Sequence, residues 1–299
     1  LSQQILPVWR SLLYVPANNR RFIDKAHTRD ADGVILDLED SVPPVERDSA
    51  RSSLARSVQS AGSGRSDVLV RVNAGDPDLD ADLDSAVISG VTALVVPKAE
   101  SPAQLVQIAG KVAALEQARG LKTGAIRFFV LVESSEGLLN AREIARADRR
   151  VAALSLGSED FAAETGMEPS EDNLLLPKQL TLFAARAAGI MPLGLVGSIA
   201  AYQDIGNLER IAYRSRALGF EGASCIHPSA VRVLNQAFTP SRFNVEKSRR
   251  IVAASEQAAA EGRGAFEMDG RMVDAPVVAR AMRLLQRSEA IGRRLSRRR

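Results

Sequence analysis

Arg127-Phe128-Phe129-Val130-Leu131-Val132-Glu133 sets five consecutive apolar residues between two charged ones. Successive side chains of a strand point to opposite faces. A run that is apolar at every position therefore reads as a strand covered on both sides, as in a parallel sheet flanked by helices. It is too short for a buried helix. Comparable runs recur at Ser11–Pro16, Gly33–Leu38, Asp67–Asn73, Ala93–Pro97, Val151–Gly157, Met191–Gly197 and Glu221–His227, each followed by a longer amphipathic stretch. After Ala93–Pro97, for example, Leu105, Ile108, Val112 and Leu115 fall at spacings of three and four, on one helical face. Pro102 suits the first turn of that helix and Gly120 its end.

Eight alternating β/α units predict an α/β fold, a (β/α)₈ TIM barrel, over residues 1–240. A doubly wound open sheet is the alternative that pattern alone leaves. Beyond the eighth unit, Ser241–Glu261 reads as a long helix, followed by a glycine-bearing stretch from Gly262 to Gly270 and a last helix beginning near Pro276. This predicts a C-terminal helical extension, residues 241–299, that carries Asp274 and packs on the barrel or reaches a neighbouring subunit.

The chain has 299 residues, 45% of them apolar, ample for one large core. No apolar run approaches the roughly 18 residues a membrane helix needs. Leu1 to Arg10 lacks the basic start and cleavage site of a secretory signal, and Cys225 is the single cysteine. These features predict a cytoplasmic protein without disulfides. The net charge is only +3, and the five arginines among the last seven residues more than account for it. Those arginines read as a solvated helix end. With no aromatic residue among them, nucleic-acid binding is not expected.

Catalytic groups of a (β/α)₈ barrel sit at the C-terminal ends of its strands. Those ends read Asp37-Leu38-Glu39-Asp40, Arg71-Val72-Asn73, Pro97-Lys98, Glu133, Gly157-Ser158-Glu159-Asp160 and His227-Pro228. The N-terminal ends show no comparable concentration of charge. Glu133 and Asp160, on adjacent strands, are what a Mg²⁺ site asks for: a small hard cation takes one or two carboxylates and fills its remaining positions with water and substrate oxygens. The alternative is that each carboxylate caps the following helix. Zinc is not expected, since only His27, His227 and Cys225 could supply softer ligands. Arg71 suits a substrate carboxylate, the alternative being a salt bridge to a nearby acid. Asp37, Glu39, Asp40 and Lys98 would surround the metal and Arg71 as supporting groups, and His227-Pro228 reads as a rigid turn.

Together these segments resemble the citrate lyase β-subunit-like branch of the HpcH/HpaI aldolase family, the malyl-CoA and citramalyl-CoA lyases included. The resemblance rests on Arg10-Ser11-Leu12-Leu13-Tyr14-Val15-Pro16, Ile35-Leu36-Asp37-Leu38-Glu39-Asp40, Val70-Arg71-Val72-Asn73, Val96-Pro97-Lys98 and Val132-Glu133 with Glu136-Gly137. It continues through Gly157-Ser158-Glu159-Asp160, Ile226-His227-Pro228 and Phe238-Thr239-Pro240-Ser241. It implies that Glu133 and Asp160 ligate Mg²⁺, that Arg71 binds substrate oxygens and acts in catalysis, and that Glu133 also lies against the substrate. Implied too is an Asp274 that serves as catalytic acid/base in the active site of an adjacent subunit of a homo-oligomer, a trimer or hexamer.

The implied reaction is a retro-Claisen cleavage of a 3-hydroxyacyl-CoA thioester, such as citramalyl-CoA or malyl-CoA, to an acyl-CoA and a 2-oxo acid. A citryl-carrier-protein lyase β subunit and a non-catalytic CoA-ester-binding barrel are the alternatives. This chain departs from the pattern at Ala17, at Leu193-Gly194-Leu195 where an aspartate is common, at Ala223-Ser224-Cys225 and at Ser229-Ala230. The metal pair is untouched by these changes. They bear on the thioester carrier and on the far end of the substrate.

Overall fold

In the computed structural model, which describes residues 6–298 except 65, 76 and 198–202, the run that opens the argument is strand β5 (Arg127–Val132). Phe128, Val130 and Val132 face a core shared with the surrounding helices, while Phe129 and Leu131 face a second core inside the sheet. Both faces of the strand are dry, which is why no polar residue interrupts it.

Seven more strands share this arrangement: β1 (Ser11–Pro16), β2 (Gly33–Asp37), β3 (Asp67–Arg71), β4 (Val91–Val96), β6 (Val151–Leu156), β7 (Met191–Pro192) and β8 (Ala223–Cys225). They pair in parallel in the order β7-β6-β5-β4-β3-β2-β1-β8. A parallel bridge between Leu193 and Gly222 joins the two end strands, with Gly194 N–H donating to the Gly222 carbonyl at 2.8 Å. The sheet closes on itself, so the fold is the barrel and not the open sheet. Helices α1 (Arg20–Ala26), α2 (Arg47–Gly62), α3 (Leu79–Ala86), α4 (Pro102–Ala118), α5 (Ser135–Leu139), α6 (Ala141–Ile144), α7 (Ser158–Thr165), α8 (Glu171–Ala188), α9 (Ile205–Leu218) and α10 (Pro228–Ala237) fill the intervals.

The last two strands are shorter than the runs Met191–Gly197 and Glu221–His227 predict. Pro192 brings no N–H to the ladder, and Gly194 at φ 148 turns the chain aside. Two residues on, Val196 N–H donates to Ser215 Oγ instead of to a strand, at 2.9 Å.

The N-terminal end of the barrel is not short of charge, contrary to the strand-end reading. There the charges are buried in pairs. The Arg10 guanidinium grips Asp32 through two hydrogen bonds of 2.7 and 2.8 Å. Arg150 holds Glu116 at 2.7 and 3.0 Å. Burial alone would raise the Glu116 carboxyl, but Arg150 and the N–H groups of Ile126 and Gly124 hold it below the usual range. Trp9, fully buried, plugs this end of the barrel and donates from Nε1 to Asp67 at 2.7 Å. Charges consumed in this way hold the fold and are not free to act on a ligand.

The chain divides into two compact units, Leu1–Phe238 and Thr239–Arg299. The second contains α11 (Arg242–Ala260), a hairpin of β9 (Phe266–Met268) and β10 (Arg271–Val273), and α12 (Ala275–Arg298). The hairpin turns at Asp269-Gly270, both in the left-handed region at φ 51 and 71, as a tight two-residue turn requires. The glycine-bearing stretch is thus partly ordered strand. The terminal arginines continue α12 as far as Arg298, and Arg299 lies outside the described residues. No helix of the described residues is long and apolar enough to cross a membrane.

Candidate active site

Asp37 ends β2 directly beside Arg71, which ends β3. Arg71 Nε and Nη2 donate to the two Asp37 oxygens at 2.6 and 2.7 Å, and Nη1 to Asp40 at 3.1 Å. The same Nη1 lies 2.9 Å from Glu39 Oε2. That ion pair is too poorly angled to be a hydrogen bond, and the buried Oε2 has no other donor among the described residues. Burial raises both acids, but at Asp37 the Arg71 hydrogen bonds prevail and hold the carboxyl below its usual range, whereas Glu39 stays above it. The ring of Tyr14 on β1 faces the guanidinium at 5.0 Å, which adds a cation–π contact. The salt-bridge alternative for Arg71 is therefore realised: its charge is fixed in place by three acids.

Glu133 follows β5 and is only 5% exposed. Its Oε2 accepts from the Lys98 backbone N–H at 3.0 Å, and Lys98 Nζ donates to Glu39 at 2.7 Å. Lys98 takes φ 50, a left-handed backbone costing about 1–2 kcal/mol. Strain of this kind is characteristic of functional sites. Burial, and then the charges of Asp160 and Glu39, push the Glu133 carboxyl from its usual 4.5 up to about 7.

The capping alternative does not hold for either acid. Ser134 caps α5, accepting from Gly137 N–H, and the cap of α7 is Gly157 without a side-chain bond. Gly157 has its own task. A Cβ there would lie 2.5 Å from Glu133 Cγ and 2.6 Å from Oε1, so the glycine makes the room in which the Glu133 carboxylate sits. Gly157→Ala is expected to push that carboxylate aside and weaken Mg²⁺ binding roughly tenfold or more. Calorimetric titration checks this, and an unchanged affinity would separate Gly157 from metal binding.

A cavity of about 390 Å³ brings Arg71, Glu133 and Asp160 together with Asp37, Asp40, Glu159 and Lys178. Glu39 and Lys98 touch this lining through Arg71 and Glu133. Asp274 belongs to the second unit, where its carboxylate accepts from Val277 N–H at the start of α12, at 3.4 Å. His227 caps α10, as the rigid-turn reading expects.

Tyr14, Lys178, Ser155, Ser158 and Ser224 also line the cavity, and none was singled out from the sequence. Tyr14 lies two residues short of the β1 terminus; burial keeps its phenol protonated well above the usual range. Lys178 lies in mid-helix, where no strand-end rule reaches.

Five acidic and two basic side chains line the cavity. No group of three or more His, Cys, Asp or Glu side chains converges as a metal cage among the described residues. Two carboxylates amid surplus negative charge fit a hard dication that completes its shell with water and ligand oxygens, and the donor set lacks the nitrogen and sulfur zinc prefers. The buried Glu133, whose carboxyl burial and neighbouring acids push up, is the side chain such an ion would relieve most.

The HpcH/HpaI aldolase/citrate lyase family matches this sequence over residues 10–228. The chain belongs to that family. It is thus a member of a family of lyases, and its barrel spans the matched region. Relatives cover nearly its whole length. Citrate lyase subunit beta of Haemophilus influenzae is 34% identical over 94% of this chain and 97% of its own. A (3S)-malyl-CoA thioesterase of Cereibacter sphaeroides is 32% identical over 95% of each. The crystal structure of protein CitE from Mycobacterium tuberculosis, in complex with magnesium, acetoacetate and coenzyme A, superposes with a TM-score of 0.73 at 32% identity, covering 93% of this chain and 97% of that one.

Proposed function

We propose that the protein is a Mg²⁺-dependent carbon–carbon lyase that cleaves a 3-hydroxyacyl-CoA thioester, malyl-CoA or citramalyl-CoA, to an acyl-CoA and a 2-oxo acid. The observation that carries this reading is the buried Glu133 carboxyl, held in one cavity with Asp160 and Arg71. The magnesium and coenzyme A in the crystals of the Mycobacterium tuberculosis relative support it.

Glu133 and Asp160 would hold the ion, whose Lewis acidity lowers the pKa of a chelated hydroxyl. Arg71, fixed by Asp37, Glu39 and Asp40, presents its charge where negative charge gathers on the substrate oxygens. A base removes the hydroxyl proton, the bond between carbons 2 and 3 breaks, and the thioester enolate takes up a proton to become the acyl-CoA. Asp274 is the proposed acid/base, presented from a neighbouring subunit of a homo-oligomeric, cytoplasmic enzyme. Leu176, Leu180 and Phe183, exposed along one face of α8, support such assembly.

Incubating the purified protein with malyl-CoA and citramalyl-CoA, with and without Mg²⁺, tests the proposal. A 2-oxo acid formed in step with the acyl-CoA is expected, and its absence from both overturns the reading. Malate and free CoA in its place would favour the thioesterase activity in one relative's name. Cleavage only of a carrier-bound citryl group would favour the citrate lyase β-subunit role, and binding without turnover a non-catalytic barrel.

Asp274→Ala is expected to lower kcat about 10²- to 10⁴-fold with Mg²⁺ affinity unchanged. Mixed oligomers of inactive Asp274→Ala and Arg71→Ala subunits should regain activity. No rescue in oligomers proven to be mixed would assign Asp274 to its own barrel.

A further inference from the structure

The reaction above gives no task to Lys178 or Ser158, which line the same cavity as Asp160. Lys178 sits halfway along α8 and is 3% exposed, on the face that also buries Leu174 and Leu182, one turn away on either side. Its Nζ donates to Ser158 Oγ at 2.6 Å. Neither side chain has another hydrogen bond among the described residues. Burial pushes the Lys178 amine down to about 7. The bond does not depend on that proton, since a neutral amine also donates.

Ser158 is the first residue of α7, and Asp160 stands two residues further on. The two acids of the metal pair are held differently. Glu133 is buried and accepts from the Lys98 N–H. Asp160 is exposed, and its carboxylate has no hydrogen bond or ion pair among the described residues. Where that carboxylate stands is therefore set by the helix turn that carries it. The turn begins at Gly157 without a side-chain cap, so it lacks the usual fastening of a helix N-terminus. Phe161 and Ala162 bury its inner side, and the Lys178 bond secures its first residue to α8.

We propose that Lys178 is a positioning residue: by holding Ser158 it fixes the first turn of α7 and places the Asp160 carboxylate beside Glu133 for a small octahedral ion. Mg²⁺ demands near-ideal geometry at about 2.0–2.1 Å, whereas Ca²⁺ accepts looser shells at about 2.3–2.6 Å. A displaced Asp160 therefore costs Mg²⁺ more than Ca²⁺. Removing a nearby positive charge would instead act on both dications alike. The proposal rests on the reading of Glu133 and Asp160 as the metal pair and adds a residue that no strand-end position supplies.

Calorimetric titration of the full-length protein with Mg²⁺ and with Ca²⁺ tests it. Lys178→Met and Ser158→Ala are each expected to lower Mg²⁺ affinity roughly tenfold, the scale for an outer partner of a metal ligand, and Ca²⁺ affinity less than about threefold. The double variant should lose no more than either single one, since both break the same bond. Ser158→Ala keeps the lysine, so a loss there is not one of charge. An unchanged Mg²⁺ affinity in either single variant, an equal fall for both ions, or additive losses in the double variant overturns the proposal. Should Lys178→Met fail to fold, Ser158→Ala decides by itself. A wild type that binds no Mg²⁺ removes the metal pair, and the lyase reading with it.

Discussion

Glu133→Gln is expected to cut Mg²⁺-dependent turnover at least roughly a thousandfold while leaving the metal-free protein as stable as the wild type or more so. The two halves of that expectation have one cause. Glutamine keeps the shape of the side chain and can still accept the Lys98 N–H bond made by Oε2. It removes the charge. In the metal-free fold that charge is a burden, because the carboxyl is raised from 4.5 to about 7. An acid raised in the folded state destabilises the fold above both values and has no effect below 4.5. At pH 8 the cost is about 3 kcal/mol by linkage, and glutamine lifts it. Activity, Mg²⁺ titration and thermal unfolding at pH 8 measure the three parts. A variant that loses activity because its melting temperature falls would mean that Glu133 is a structural residue.

The second large effect lies at the opposite pole of the barrel. A Cβ on Gly222 would stand 1.8 Å from the Trp9 carbonyl oxygen and 3.0 Å from Arg10 Cα. These are backbone atoms and cannot rotate away. The same glycine makes the bridge to Leu193 that closes the sheet, and Ala223 beside it donates to the Arg10 carbonyl at 3.2 Å. Gly222→Ala must therefore spread β1 from β8 or break the closure. A loss of about 3 kcal/mol or more is expected, lowering the melting temperature of a unit this size by roughly 6–12 °C. A shift within 2 °C of zero, roughly the scale of a neutral surface change, would show that closure tolerates a methyl group there.

Parts of the molecule that obey a period were legible in the sequence. The two-faced apolar runs located all eight strands, and the boundaries of β1 agree at both ends. The runs failed where the ladder itself stops, at Pro192 and Gly194. Position at a strand end likewise brought out Arg71, Glu133 and Asp160, which one cavity now unites. It gave no access to Lys178, whose location follows from which face of α8 turns toward the barrel. Nor did it reveal that Arg71 is already shared by three acids, because a strand-end charge reads the same whether free or paired. The Asp269-Gly270 hairpin carried a known turn signal, but strands of three residues are too short to establish a pattern.

Leu131 belongs to the inner core of the barrel and also lines the cavity, and Tyr14 packs against that same core. Whatever occupies the site therefore rests directly on the plug that fills the barrel, with no independent layer between. Leu131 is the buried inner-core residue that lines the cavity. An engineer who shortens it to admit a bulkier acyl group also removes part of the packing beneath β5. Substrate range and barrel rigidity are coupled at that single side chain, and compensating changes belong one layer down, at Phe129 or Ile35.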